Sequence, residues 1–148
     1  EAYQLTNGSA NDFGKNALET LLTYLENYRD KFIVILAGYT NEMEAFLDTN
    51  PGLRSRIPER IIFPDYSPEE IATIVEKNIT KNWTVDTEYL RQTVLKIYSE
   101  VPQNEKSNAR WARNFSEKLI QNHKVWLIDN DVSSEQLKII HNNVIDQM

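Results

Sequence analysis

The sequence predicts an α/β half followed by an all-helical half, and three observations carry that reading. Lys31–Gly38 is a continuous apolar run rich in β-branched residues, preceded by an amphipathic helical pattern; such a run suits a strand buried on both faces of a parallel sheet. A second short run, Arg60-Ile61-Ile62-Phe63, is stopped by Pro64. Beyond Asp65-Tyr66 the strand signal disappears and helix-start signals recur. Two regions follow, 1–65 and 66–148.

From the N-terminus, Glu1-Ala2-Tyr3 leads through a polar stretch, Thr6–Asn11, to Asp12-Phe13-Gly14-Lys15. From Asn16, Leu18, Leu21, Leu22 and Leu25 recur at i, i+3, i+4, i+7, the stripe of a helix that should stop near Arg29-Asp30. After the apolar run, Asn41–Asp48 reads as a short helix with Met43, Phe46 and Leu47 on one side. Asn50-Pro51-Gly52 reads as a turn, with Pro51 fixing φ and Gly52 free to take a positive φ. Leu53-Arg54-Ser55-Arg56 follows it. Two guanidinium groups between strand-like segments are shaped to grip phosphate oxygens in bidentate fashion. Taken alone, they equally describe a solvated surface pair.

Ser67-Pro68-Glu69-Glu70 combines an N-cap, a proline at the first helical position and a capping box, ahead of a stripe of Ile71, Ile74, Val75 and Ile79. Asp86 can cap a helix bearing Leu90, Val94 and Ile97. Ser107 or Asn108 can start another, with Ala112, Phe115 and Leu119 inward. Ser133-Ser134-Glu135-Gln136 can start a last helix carrying Leu137, Ile140 and Val144. His123 and His141 stand far from any ligand set and read as solvated residues; Trp83, Trp111 and Trp126 read as packing groups.

Composition narrows the function classes. A length of 148 residues supports one domain or two small lobes, with 41% hydrophobic and 26% charged residues, as in soluble globular proteins. The net charge of -6 argues against coating nucleic acid. No apolar run approaches membrane-spanning length, no signal peptide is visible and there is no cysteine, which makes the cytoplasm the default compartment. Four Asn-x-Ser/Thr triplets are the chance product of an asparagine-rich chain. The first residue is not Met, which suits a fragment or a processed product.

The order of Glu1-Ala2-Tyr3, Asp12-Phe13-Gly14-Lys15, Ala37-Gly38-Tyr39-Thr40-Asn41, Asn50–Arg56, Phe63–Glu70 and Asn108-Ala109-Arg110-Trp111-Ala112-Arg113-Asn114 resembles the second half of an AAA+ ATPase module. The branch it resembles contains the rubisco-activase-like proteins of red-type carbon fixation and the stage V sporulation protein K group, and the resemblance covers residues 1–125. It implies that Glu1 closes the Walker B motif and orients the attacking water. It implies that Thr40, with Asn41 beside it, is the sensor 1 polar group, a position where a helix N-cap is also natural. Arg54 and Arg56 correspond to the arginine-finger region that reaches the next subunit's nucleotide, with Arg56 favoured. Arg110 corresponds to the sensor 2 arginine, and Arg113, one helical turn on, shares its face.

Two departures qualify the resemblance. No Gly-x-x-x-x-Gly-Lys-Ser/Thr occurs, and the Mg²⁺-binding aspartate that should precede the Walker B glutamate is absent too. In the family the strand carrying the phosphate loop runs between the two strands read here. The expectation is therefore a C-terminal portion: the end of an α/β core plus a helical lid. On its own it should bind no nucleotide and hydrolyse none. The full-length protein would use ATP and Mg²⁺, form a homo-oligomeric ring of six subunits by analogy, and remodel a protein substrate. The alternative is a non-catalytic interaction module on the same scaffold.

Overall fold

The computed structural model describes residues 1–6 and 13–148. The Asn7-Gly8-Ser9 triplet and Asp12 of the Asp12–Lys15 motif lie outside the described residues. The chain divides into two compact units, Glu1–Phe63 and Pro64–Met148.

In the first unit a short 3-10 turn, Ala2–Thr6, precedes α1 (Phe13–Asn27), α2 (Thr40–Asp48) and α3 (Pro51–Arg56). Its core is small: Leu18, Phe46 and Leu53 are buried, with Tyr3, Leu22, Leu36, Met43 and Leu47 packed around them. The Asn50-Pro51-Gly52 turn is corrected to a helix start. The Asn50 side chain accepts from the Gly52 N–H at 2.8 Å, Pro51 occupies the first helical position, and no described glycine has a positive φ. The capping bond satisfies an N–H that a helix otherwise leaves orphaned, and proline has none to lose.

The apolar runs read as strands carry no ladder. Residues 32–39 and 57–67 hold neither helix nor strand, and Ile33, Ile35, Ile61 and Phe63 are all more than three-quarters exposed. A strand meant for burial on both faces needs a neighbour on each edge. Among the described residues the one backbone bond of this kind runs from Ala2 N–H to Ala37 C=O, at 2.9 Å.

The second unit holds α4 (Pro68–Thr80), β1 (Thr84–Val85), α5 (Thr87–Glu100), α6 (Ala109–Asp129), β2 (Ile139–Ile140) and α7 (Asn142–Ile145). α4 begins with the full capping box: Ser67 Oγ accepts from Glu70 N–H and the Glu70 carboxylate accepts from Ser67 N–H. Asp86 caps α5 through Tyr89 N–H. Ile71, Ala72, Val75 and Ile79 of α4 meet Leu90, Val94 and Tyr98 of α5 and Ala112, Phe115 and Leu119 of α6 in one core.

Two expectations change here. The Ser133–Gln136 region starts no long helix; it turns into β2, which pairs in parallel with β1 in the register Thr84–Ile139 and Val85–Ile140. The adjacent β-branched pair Ile139-Ile140 suits a strand, and the parallel sheet of this chain thus lies in its second unit. His123 is not solvated but fully buried: one ring nitrogen, Nε2, lies 3.1 Å from the Leu137 carbonyl, while Nδ1 has no partner among the described residues. Trp83 meets its ring edge-on at 5.1 Å. The three tryptophans pack: Trp111 lies between Tyr98 and Phe115, and Trp126 against His141.

Candidate functional site

In the first unit the bond from Ala2 to Ala37 stitches the N-terminal residues to the end of the apolar run. Gly38 follows at once. A Cβ there would come within 2.8 Å of both Met43 Sδ and Tyr3 Cε1, so glycine is what lets the two side chains close over the backbone. Tyr3, which also hydrogen-bonds Glu1, thus packs against the backbone that leads into α2. Glu1 is exposed and accepts a hydrogen bond from the Gln4 amide. Tyr3 has its hydroxyl pKa raised, first by desolvation and then by its hydrogen bond to Glu1 and the nearby carboxylate charge.

Thr40 is the first residue of α2, and Tyr39 is the N-cap, with no side-chain capping bond. Thr40 and Asn41 are therefore both exposed first-turn residues, and the N-cap position considered for Thr40 is held by Tyr39, whose side chain makes no capping bond. The Thr40 hydroxyl has no partner among the described residues.

Arg54 and Arg56 sit on α3 with different surroundings. Arg54 Nε donates to Asp48 Oδ1 at 2.7 Å and Nη2 to Glu44 Oε2 at 3.0 Å. Glu44 also receives Arg60. The hydrogen bond to Asp48, then that to Glu44, holds the Arg54 pKa above the ordinary arginine range, and the Asp48 carboxyl is correspondingly lowered. Glu44 and Asp48 are four residues apart on α2 and so share a face. Arg56 has one carboxylate, Glu26 Oε2 at 3.2 Å, which is shared with Arg29, and a long bond to the Gly52 carbonyl at 3.4 Å. All these pairs are solvent-exposed and contribute little stability. What they do is aim the guanidinium groups.

The first unit thus ties the residue after Glu1 to Ala37, three residues before Thr40, and sets both arginines on another helix, held by carboxylates of their own chain. Sequence reasoning missed those carboxylates; the i, i+4 spacing of Glu44 and Asp48 was the available signal.

In the second unit Arg110 and Arg113 lie in the first turns of α6, both exposed, with no side-chain partner among the described residues. The turn before them is unusual. Asn108 has φ 53° and ψ -133°, the one positive φ among described non-glycine residues. No three His, Asp or Glu side chains gather as a metal site among the described residues.

No family model matches the chain. It is 38% identical over 135 residues to stage V sporulation protein K of Bacillus subtilis, a match covering 88% of this chain and 42% of that protein. It is 42% identical over 118 residues to protein CbbX of Cereibacter sphaeroides, covering 77% of this chain and 38% of that one. The ESX-3 secretion system protein EccA3 of Mycolicibacterium smegmatis is 40% identical over 104 residues, 70% of this chain and 17% of that protein. The chain spans less than half the length of each of these relatives. Its fold class is that of a partial AAA+ module, an α/β core portion followed by a helical lid-type unit. The chain belongs to the AAA+ ATPase family, in the branch of stage V sporulation protein K and CbbX.

Proposed function

We propose that the protein containing this chain is a ring-forming AAA+ ATPase that couples Mg-ATP hydrolysis to remodelling of a protein partner in the cytoplasm. The observation that carries the reading is the Ala2–Ala37 backbone bond, which ties the residue after Glu1 to the segment ending at Thr40. In this reading the Glu1 carboxylate orients the attacking water and the Thr40 hydroxyl reports the γ-phosphate. In this reading residues 1–65 end the core and 66–148 form the lid.

Arg56 acts as the finger, reaching the neighbouring subunit's nucleotide, and Arg54 is its brace. The support is the difference in their partners: Arg54 is gripped by two carboxylates, whereas Arg56 has one at 3.2 Å that it shares. A finger supplied in trans contributes about 10³–10⁵ in rate, or roughly 4–7 kcal/mol of barrier. Arg110 and Arg113, unpaired at the start of α6, face nucleotide bound to their own subunit.

Mixed rings test the assignment in the full-length protein. Arg56→Ala should abolish turnover with ATP binding nearly intact. Rings co-assembled from Arg56→Ala and Glu1→Gln subunits should regain activity, because some interfaces then join an intact Glu1 to an intact Arg56. Rings proven mixed by mass yet inactive would return Arg56 to an ordinary surface role. Wild-type rings without ATP turnover would instead favour the non-catalytic scaffold.

A further inference from the structure

Among the described residues the positive φ of Asn108 marks the start of α6, two residues before Arg110. The angles φ 53° and ψ -133° match the first inner position of a type II′ turn. The closing bond of such a turn is present: Arg110 N–H donates to the Ser107 carbonyl at 3.1 Å. Arg110 is therefore the last residue of the turn, and the backbone at Asn108 sets where its side chain leaves the helix.

Glycine is the residue that takes this conformation without steric cost, and asparagine tolerates it best among the others when its side chain is bonded locally. Here the side chain does not cap its own helix. Its Oδ1 accepts from Tyr66 N–H at 3.0 Å and its Nδ2 donates to Asp65 Oδ1 at 2.7 Å, across more than forty residues of chain. Both amide atoms of one residue thus hold the two residues that lead into the α4 cap.

We propose that Asn108 is a positioning residue: by clamping Asp65-Tyr66 it holds the II′ turn that orients Arg110 toward nucleotide. This rests on the sensor reading of Arg110 given above. A movement of the Asp65-Tyr66 strap is then felt at Arg110 through one side chain. An asparagine with a purely structural role would stabilise the unit but leave Arg110 chemistry unchanged.

The test uses the full-length protein. Asn108→Gly keeps the backbone conformation and removes both bonds; it should raise the KM for ATP about five-fold, the scale of one or two net hydrogen bonds. Combined with Arg110→Ala it should add nothing to the effect of Arg110→Ala alone. Asn108→Asp sets two carboxylates together and should be worse, and the double exchange with Asp65→Asn, which reverses donor and acceptor, should rescue it. Additive KM effects, or no rescue in proteins of unchanged Tm, would overturn the proposal. A second measurement is independent of nucleotide: exchange of the Tyr66 amide should accelerate in Asn108→Gly, and an unchanged rate would overturn the clamp itself. A neutral Arg110→Ala would instead overturn the sensor reading, with the clamp still decided by Tyr66 exchange.

Discussion

Single residues in this chain carry contrasting kinds of information. Arg54 and Arg56 look equivalent in the sequence, yet one is braced by Glu44 and Asp48 and the other rests on a shared Glu26. Tyr98 shows how burial turns an ordinary residue into a pH-dependent one. It is 3% exposed, its ring meets Trp111 at 4.8 Å, and the Lys106 ammonium lies 5.1 Å from its centroid. Its hydroxyl pKa is raised, first by burial and then by the charge of Asp65. A raised folded-state value means the neutral phenol is favoured in the fold. The stabilisation is complete below the ordinary tyrosine value of about 10 and is lost as pH rises toward the folded value. Urea unfolding of the wild type should therefore show stability falling above about pH 10 more steeply than in Tyr98→Phe. Parallel curves for the two proteins would refute this.

At the scale of elements, caps decide where helices begin and packing decides whether they persist. The α4 capping box was legible in Ser67-Pro68-Glu69-Glu70 because its bonds lie within four residues. Ser67→Ala should destabilise the second unit by about 1 kcal/mol, read as a lower urea midpoint at unchanged slope. No shift in that midpoint would mean the α4 start is held by packing alone. The α6 start was also legible, but the positive φ at Asn108 was not, and the groups its side chain bonds, Asp65 and Tyr66, lie more than forty residues away. The last predicted helix failed for the same reason. Residues 137–140 follow bonds to distant groups, from Thr84 N–H to the Lys138 carbonyl and between His123 and the Leu137 carbonyl.

For the molecule as a whole, the two units differ in how much apolar surface they withdraw from water. Among the described residues thirteen hydrophobic side chains form the buried cluster of the second unit and three that of the first. At roughly 1.5–3 kcal/mol for each large side chain fully buried, the second unit holds far the larger reserve against unfolding. Hydrogen exchange on this chain should accordingly find the amides of α4 and α6 most protected and those of Ile33–Leu36 exchanging fast. Protection of Ile33–Leu36 equal to that of α6, in a sample shown to be monomeric, would count against this ordering.

The sequence by itself determined the helix stripes of α1, α4, α5 and α6, the α4 and α5 caps and the family, because each rests on patterns spanning a few residues or on motifs kept in order. Only the tertiary structure decided which arginine is braced, that Asn108 takes a positive φ, that His123 is buried, and that the β-branched pair near the C-terminus forms a strand beside β1. Each depends on groups brought together from distant parts of the chain. The apolar runs at Phe32–Leu36 and Ile61–Phe63 show the rule from the other side: strand propensity was plain in them, but without neighbours to accept their backbone bonds they form no sheet.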